Sequence, residues 1–189
     1  MATPPPPPPT PAAPPARSRL ERIHTYRWLL ALAAGVWVLD QAVKLWICAR
    51  LPYPTYGPPR HIVVIDGFFN LVNVGNTGAA WSLFSGRSTF LALLAVATLV
   101  AIFAWRRQLG LRLWPVQVSF GLLCGGIAGN LADRLFHGHV IDFLDFHFGS
   151  YVYPTFNIAD SGICVGVIIY LLHSLRQPPE APDRRAEPS

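Results

Sequence analysis

Residues 125–160 read GGIAGNLADRLFHGHVIDFLDFHFGSYVYPTFNIAD, and the fold turns on how this stretch is taken. Apolar runs flank it, yet it carries four aspartates: Asp133, Asp142, Asp145 and Asp160. An ionised carboxylate is costly near hydrocarbon, so acids at membrane depth face a polar cavity and mark function. Asn130, Asp133 and Arg134 share one face of a helix, because positions three and four apart are neighbours. Asn157 and Asp160 share a face in the same way at the start of the next apolar run. Asp142 falls in the link between the two runs. The expectation is that Asp142 and Asp160 meet as a pair of carboxylates.

Working outward, apolar runs cover Trp28–Ile47, Ser88–Trp105, Pro115–Phe136 and Phe156–Leu175. The first is about the length a bilayer span needs. It is too long for a signal-peptide core, and no small-residue cleavage site follows it. Residues 50–75 hold a Pro/Tyr-rich loop and then a β-branched and aromatic segment that predicts a small sheet. Asn76 to Ser82 (NTGAAWS) predicts a turn entering a short helix. Gly121, Gly125 and Gly129 recur at the spacing that lets membrane helices approach closely. The fold class expected is a membrane all-α protein: four transmembrane helices, a small extracytoplasmic β-sheet and a short flap helix. A Pro-rich tail over residues 1–22 and a second tail over 177–189 are expected to be disordered and cytoplasmic, bracketing a membrane domain over 23–176.

Composition agrees with a membrane protein. The 189 residues are 52% hydrophobic and 13% charged, with a mean hydropathy of +0.35; soluble domains carry about 25% charge. The net charge of +5 does not point to nucleic acid, because the arginines lie in linkers and tails instead of along one face. Ten of the fifteen Lys and Arg fall in the N-terminal tail, the 106–112 loop and the C-terminal tail. The positive-inside rule puts these in the cytoplasm and the 50–87 and 137–155 regions outside. At ~1.5 Å rise per residue, Asp40 then lies roughly 18 Å into its span, Lys44 about 24 Å, Asn130 about 22 Å and Asp133 about 27 Å. Asp160 lies in the first turn or so of a span that starts outside. The polar residues thus gather in the outer half of the membrane.

Each group has a structural reading beside the functional one. Asp40 and Lys44, the only lysine, are spaced to neutralise each other within one helix. They either hold the span against its neighbours or position substrate. Arg134 suits a carboxylate, a peptide carbonyl or a lipid phosphate. Asp142 and Asp160 have no basic neighbour in sequence. Two close carboxylates do not both ionise easily, so one keeps a proton while the other acts as a base towards water. The plainer reading is that both cap helix ends; Asp145 is a competitor. His137, His139 and His147 lie nearby, but there is no His-Glu-x-x-His pattern and no glutamate between Glu21 and Glu180, so no metal or cofactor is expected. Cys48, Cys124 and Cys164 lack metal or disulfide-framework spacing. A proton-coupled transporter is the alternative that intramembrane Asp, Lys and Arg keep open, although no internal repeat is visible.

Five blocks in order resemble the type II signal peptidases of bacteria, the lipoprotein signal peptidase family. They are Asp40-Gln41-Ala42-Val43-Lys44, Asn76 to Ser82, Gly125 to Arg134, Gly138 to Phe143 and Phe156 to Asp160. The resemblance spans roughly residues 27–175. It implies a membrane-embedded aspartyl endopeptidase that removes the signal peptide from diacylglyceryl-modified prolipoproteins, cutting just before the lipidated cysteine. The family's catalytic aspartates fall on Asp142 and Asp160. Asp40, Lys44, Asn76, Gly78, Asn130, Asp133, Arg134 and Asn157 fall on substrate-binding or site-shaping positions. The 50–75 region resembles a sheet that cradles substrate, and the segment after Asn76 a flap over it. Trp81 stands where the family usually has Phe. The resemblance also implies a monomer in the bacterial inner membrane, among membrane lipids, with its site near the extracytoplasmic face.

Overall fold

The computed structural model describes residues 25–176; both tails, 1–22 and 177–189, lie outside the described residues. The elements run α1 (Arg27–Arg50), β1 (Ile62–Ile65), β2 (Phe69–Asn76), α2 (Ser88–Ala104), α3 (Trp114–His137), β3 (Val140–Phe148), β4 (Tyr151–Val152) and α4 (Ile158–Leu175). Three helices, α1, α3 and α4, are long and apolar enough to cross a membrane. The 17-residue α2 is apolar but shorter. Trp37, Leu39, Phe103, Val165 and Leu171 are among many large apolar side chains exposed on the outer helix surfaces, as a hydrocarbon solvent requires. The protein is membrane-embedded.

Helix α3 is the centre post, packed against each of the other three helices. Its glycines make this close approach achievable. A Cβ at Gly125 would lie 2.6 Å from the Ala33 carbonyl oxygen and 2.8 Å from the Val36 Cβ of α1. A Cβ at Gly126 would collide with the Ala159 carbonyl of α4. The same seam carries a buried hydrogen bond from Ser119 Oγ to the Gly166 carbonyl (2.6 Å).

The four strands form one antiparallel sheet in the order β1-β2-β3-β4. Residues 137–155, expected to be a plain link, therefore contribute half of its strands. Val140-Ile141-Asp142-Phe143-Leu144-Asp145 is a strand with buried residues on both sides, so its acids break the hydrophobic run by which a doubly buried strand is recognised. Gly138 ends α3 in the left-handed conformation (φ +75°) and turns the chain into β3 two residues later. The sheet seats on the helices through Phe143, Ile47 and Leu51, with Val43 and Ile158 packed around them. The register of β2 against β3 shifts between Leu71 and Val74. This bulge frees the Asn73 backbone to pair with Thr55, and its side chain bonds the Leu51 carbonyl (2.9 Å).

The expected flap helix is instead a three-residue 3-10 turn, Ala80–Ser82. Trp81 within it has φ +53° and Phe84 has φ +57°. Two left-handed residues so close together cannot belong to a continuing helix.

Candidate active site

Asp142 lies on β3 opposite Val74, 2% exposed. Its two oxygens are each used. Oδ1 accepts from Asn157 Nδ2 (2.7 Å) and Oδ2 from Asn76 Nδ2 (3.0 Å). Asp160 lies in the first turn of α4 and is half-buried. Its Oδ1 accepts from Asn130 Nδ2 (2.7 Å), and its Oδ2 from the Asn157 backbone N–H (3.3 Å).

One residue therefore joins both carboxylates. Asn157 is the N-cap of α4, and its Oδ1 accepts from the Asp160 N–H (2.8 Å), closing a reciprocal capping box. Its amide group also donates to Asp142 and, at 3.2 Å, to Asn130 Oδ1. Asp160 thus caps α4, and its charge also acts on the Asp142 carboxyl.

Burial is the main influence that lifts the Asp142 carboxyl, to about 7, and the charge of Asp160 adds to it. Hydrogen bonds from Asn76 and Asn157, and the charge of Lys44, pull the other way. Near neutral pH the Asp142 carboxyl is thus poised between its protonated and ionised forms.

Beneath the pair lies a buried ion cluster. Lys44 Nζ is 2.7 Å from Asp40 Oδ2 and 2.7 Å from Asp133 Oδ2, and donates to Asn130 Oδ1 at 3.4 Å. Asp40 Oδ1 also accepts the Ala159 N–H (2.9 Å), so α1 supplies a cap to α4. Asp133 Oδ2 accepts the Ile141 N–H (3.0 Å) and fastens β3 to α3. Gln41, which was not singled out from the sequence as a site residue, donates to Asp133 Oδ1 (2.9 Å) and Asp40 Oδ2 (3.2 Å). A polar residue beside Asp40 within an apolar span was the available signal.

Arg134 turns away from Asp133. Its Nη2 donates to the Gly78 carbonyl (2.8 Å) and its Nη1 to the Asn130 carbonyl (3.3 Å). Its Nε is buried with no hydrogen-bond partner among the described residues. Gly78 is held in turn by its N–H on Asn76 Oδ1 (2.9 Å). Arg134 and Asn76 thus tie the loop carrying Trp81 to the two carboxylates.

Asp145 stands apart. Three residues from Asp142 on a strand, it points to the opposite face, where it pairs with His147 Nε2 (2.7 Å) and meets Asn70 Nδ2 (3.4 Å). His139 stacks on Tyr53, with ring centroids 5.1 Å apart.

The matches to known proteins agree with one another. A family model described as Signal peptidase (SPase) II matches residues 32–176. A lipoprotein signal peptidase from Xanthomonas axonopodis pv. citri is 41% identical over 145 residues, covering 75% of this chain and 81% of the relative. One from Nitratidesulfovibrio vulgaris is 40% identical over 164 residues, covering 84% and 94%. Among solved structures, a bacterial membrane enzyme determined by the in meso method at 2.3 Å resolution superposes with a TM-score of 0.69 at 30% identity, covering 81% of this chain and 93% of that one. A second, at 1.9 Å resolution, has a TM-score of 0.67 at 32% identity. With these matches over most of its length, the chain belongs to the signal peptidase II family and is a protease.

Proposed function

We propose that Asp142 and Asp160 are the catalytic pair with which this peptidase removes signal peptides from diacylglyceryl-modified prolipoproteins, cutting just before the lipidated cysteine. The observation that carries the assignment is Asn157, bonded to both carboxylates at once. The ionised member of the pair takes a proton from water, whose oxygen adds to the scissile carbonyl carbon. The protonated member donates to the carbonyl oxygen. As the tetrahedral intermediate collapses, the member that took the water proton passes it to the cysteine nitrogen, the C–N bond breaks, and the other member takes back the proton it gave the carbonyl oxygen. The signal peptide departs with a new carboxyl group. Arg134, with a buried Nε–H unspent, supports substrate carbonyls beside the Gly78 loop. Asp40, Lys44, Asn130 and Asp133 hold the helices that carry the pair. Family membership supports peptide hydrolysis over proton-coupled transport.

Helices α1 to α4 make four passes through the bacterial inner membrane, α2 included, with both termini and the 106–112 loop in the cytoplasm. The site then faces the outer leaflet, where a cysteine anchored by diacylglycerol presents its preceding peptide bond. The protein works as a monomer among membrane lipids.

The test is cleavage of a diacylglyceryl-modified prolipoprotein in vesicles by wild type, Asp142→Asn and Asp160→Asn, each shown to be folded. Both variants are expected to lose about 10²- to 10⁴-fold in kcat, the span of general acid–base effects. A chelator leaves wild type unchanged. Normal cleavage by either variant removes that aspartate from the mechanism.

A further inference from the structure

A cavity of about 660 Å³ opens at the end of the bundle away from the carboxylates. It lies where α1 and α2, both packed on α3, stand apart. Its walls are apolar and include Leu29 of α1, Ile102 of α2 and Cys124 of α3. Its rim is different in kind: Arg106, Arg107 and Arg112 all line it. Arg106 spends one N–H on the Phe103 carbonyl (2.8 Å) and lies over that ring. Arg107 and Arg112 are exposed. No acid occurs between Asp66 and Asp133, and none of these arginines forms an ion pair among the described residues. Three positive charges over an apolar slot, at the end of membrane helices, match the two halves of a lipid with an anionic headgroup.

We propose that this groove binds an anionic phospholipid, with an acyl chain between α1 and α2 and the phosphate at Arg106, Arg107 and Arg112. The site is separate from the carboxylates. They meet α3 at Asn130, whereas the arginine rim lies beside its N-terminal end at Trp114, about 24 Å away along the helix axis. A guanidinium offers a fork of donors that suits phosphate oxygens. Zwitterionic lipid fills the same slot but gains less from the rim.

Native mass spectrometry of the full chain, released from micelles holding equal phosphatidylglycerol and phosphatidylcholine, tests this. Wild type is expected to retain phosphatidylglycerol over phosphatidylcholine by roughly fivefold or more, a ratio that even one arginine near the headgroup supports. Arg107→Gln combined with Arg112→Gln, both exposed and harmless to packing, brings the ratio close to one. Ile102→Trp fills the groove and removes the retained lipid. Equal retention of the two lipids by wild type overturns the proposal, as does a preference that survives either variant. Retention of neither lipid also overturns it; that is the result if the segment preceding Thr25 occupies the groove.

Discussion

Lys44 is the residue on which most buried charge depends. It is 2% exposed and touches two carboxylates that are 0% and 1% exposed. Replacing it with methionine keeps the volume but leaves Asp40 and Asp133 facing each other without a cation. Removing one partner from a buried ionic group costs about 3–5 kcal/mol. Lys44→Met is therefore expected to lower unfolding stability by about that amount, measured by denaturant titration in micelles. Asp142 makes a prediction of another kind. Its carboxyl is raised to about 7, so it keeps its proton up to that pH and loses it above. A reaction that needs one proton on the pair slows as pH rises through about 7, and the alkaline limb of the kcat profile should report it. A profile flat from pH 6 to 9 would contradict the shared proton. At this scale the sequence shows neighbours along a helix but not across helices. The Asp40–Lys44 pair was legible from its spacing, whereas Lys44–Asp133 and the turning of Arg134 towards Gly78 depend on how α1, α3 and the loop pack.

At the scale of elements, hydrophobicity located the four helices to within a few residues, because apolar length is all that a bilayer asks of a helix. The sheet was half legible. Residues 62–72 carry the β-branched and aromatic content of strands, while β3 hides behind Asp142, Asp145 and His147. The 3-10 turn was misread because Asn76-Thr77-Gly78 resembles a helix start, and nothing in Ala80-Trp81 announces a left-handed backbone. The glycine spacing in α3 was a better guide. Gly125→Ala forces a Cβ against the Ala33 carbonyl, and backbone cannot move aside as a side chain does. The expected loss is about 1–3 kcal/mol, the usual cost of overpacking, read from the same titration. An unchanged midpoint would mean that α1 and α3 slide apart freely.

At the scale of the whole molecule, the carboxylate pair spans two different kinds of element, a strand and a helix, held in register by α3. The proposed orientation has a direct check. In a background without Cys48, Cys124 and Cys164, a cysteine at exposed Tyr56 should react with an impermeant maleimide added outside intact cells. One at exposed Gln108 should react only after permeabilisation. The reverse pattern would invert the membrane. The ion cluster also bears on how the chain is made. Synthesis runs from the N-terminus, so α1 reaches the bilayer while α3 is still to be translated. With Asp40 one turn from Lys44, the interior lysine of the nascent α1 has an anionic partner within its own helix before α3 is made. When α3 arrives, Asp133 joins the same ammonium group while Asp40 keeps its contact. The ion pair local to the first helix therefore does not depend on the later helix, whereas the join to Asp133 does.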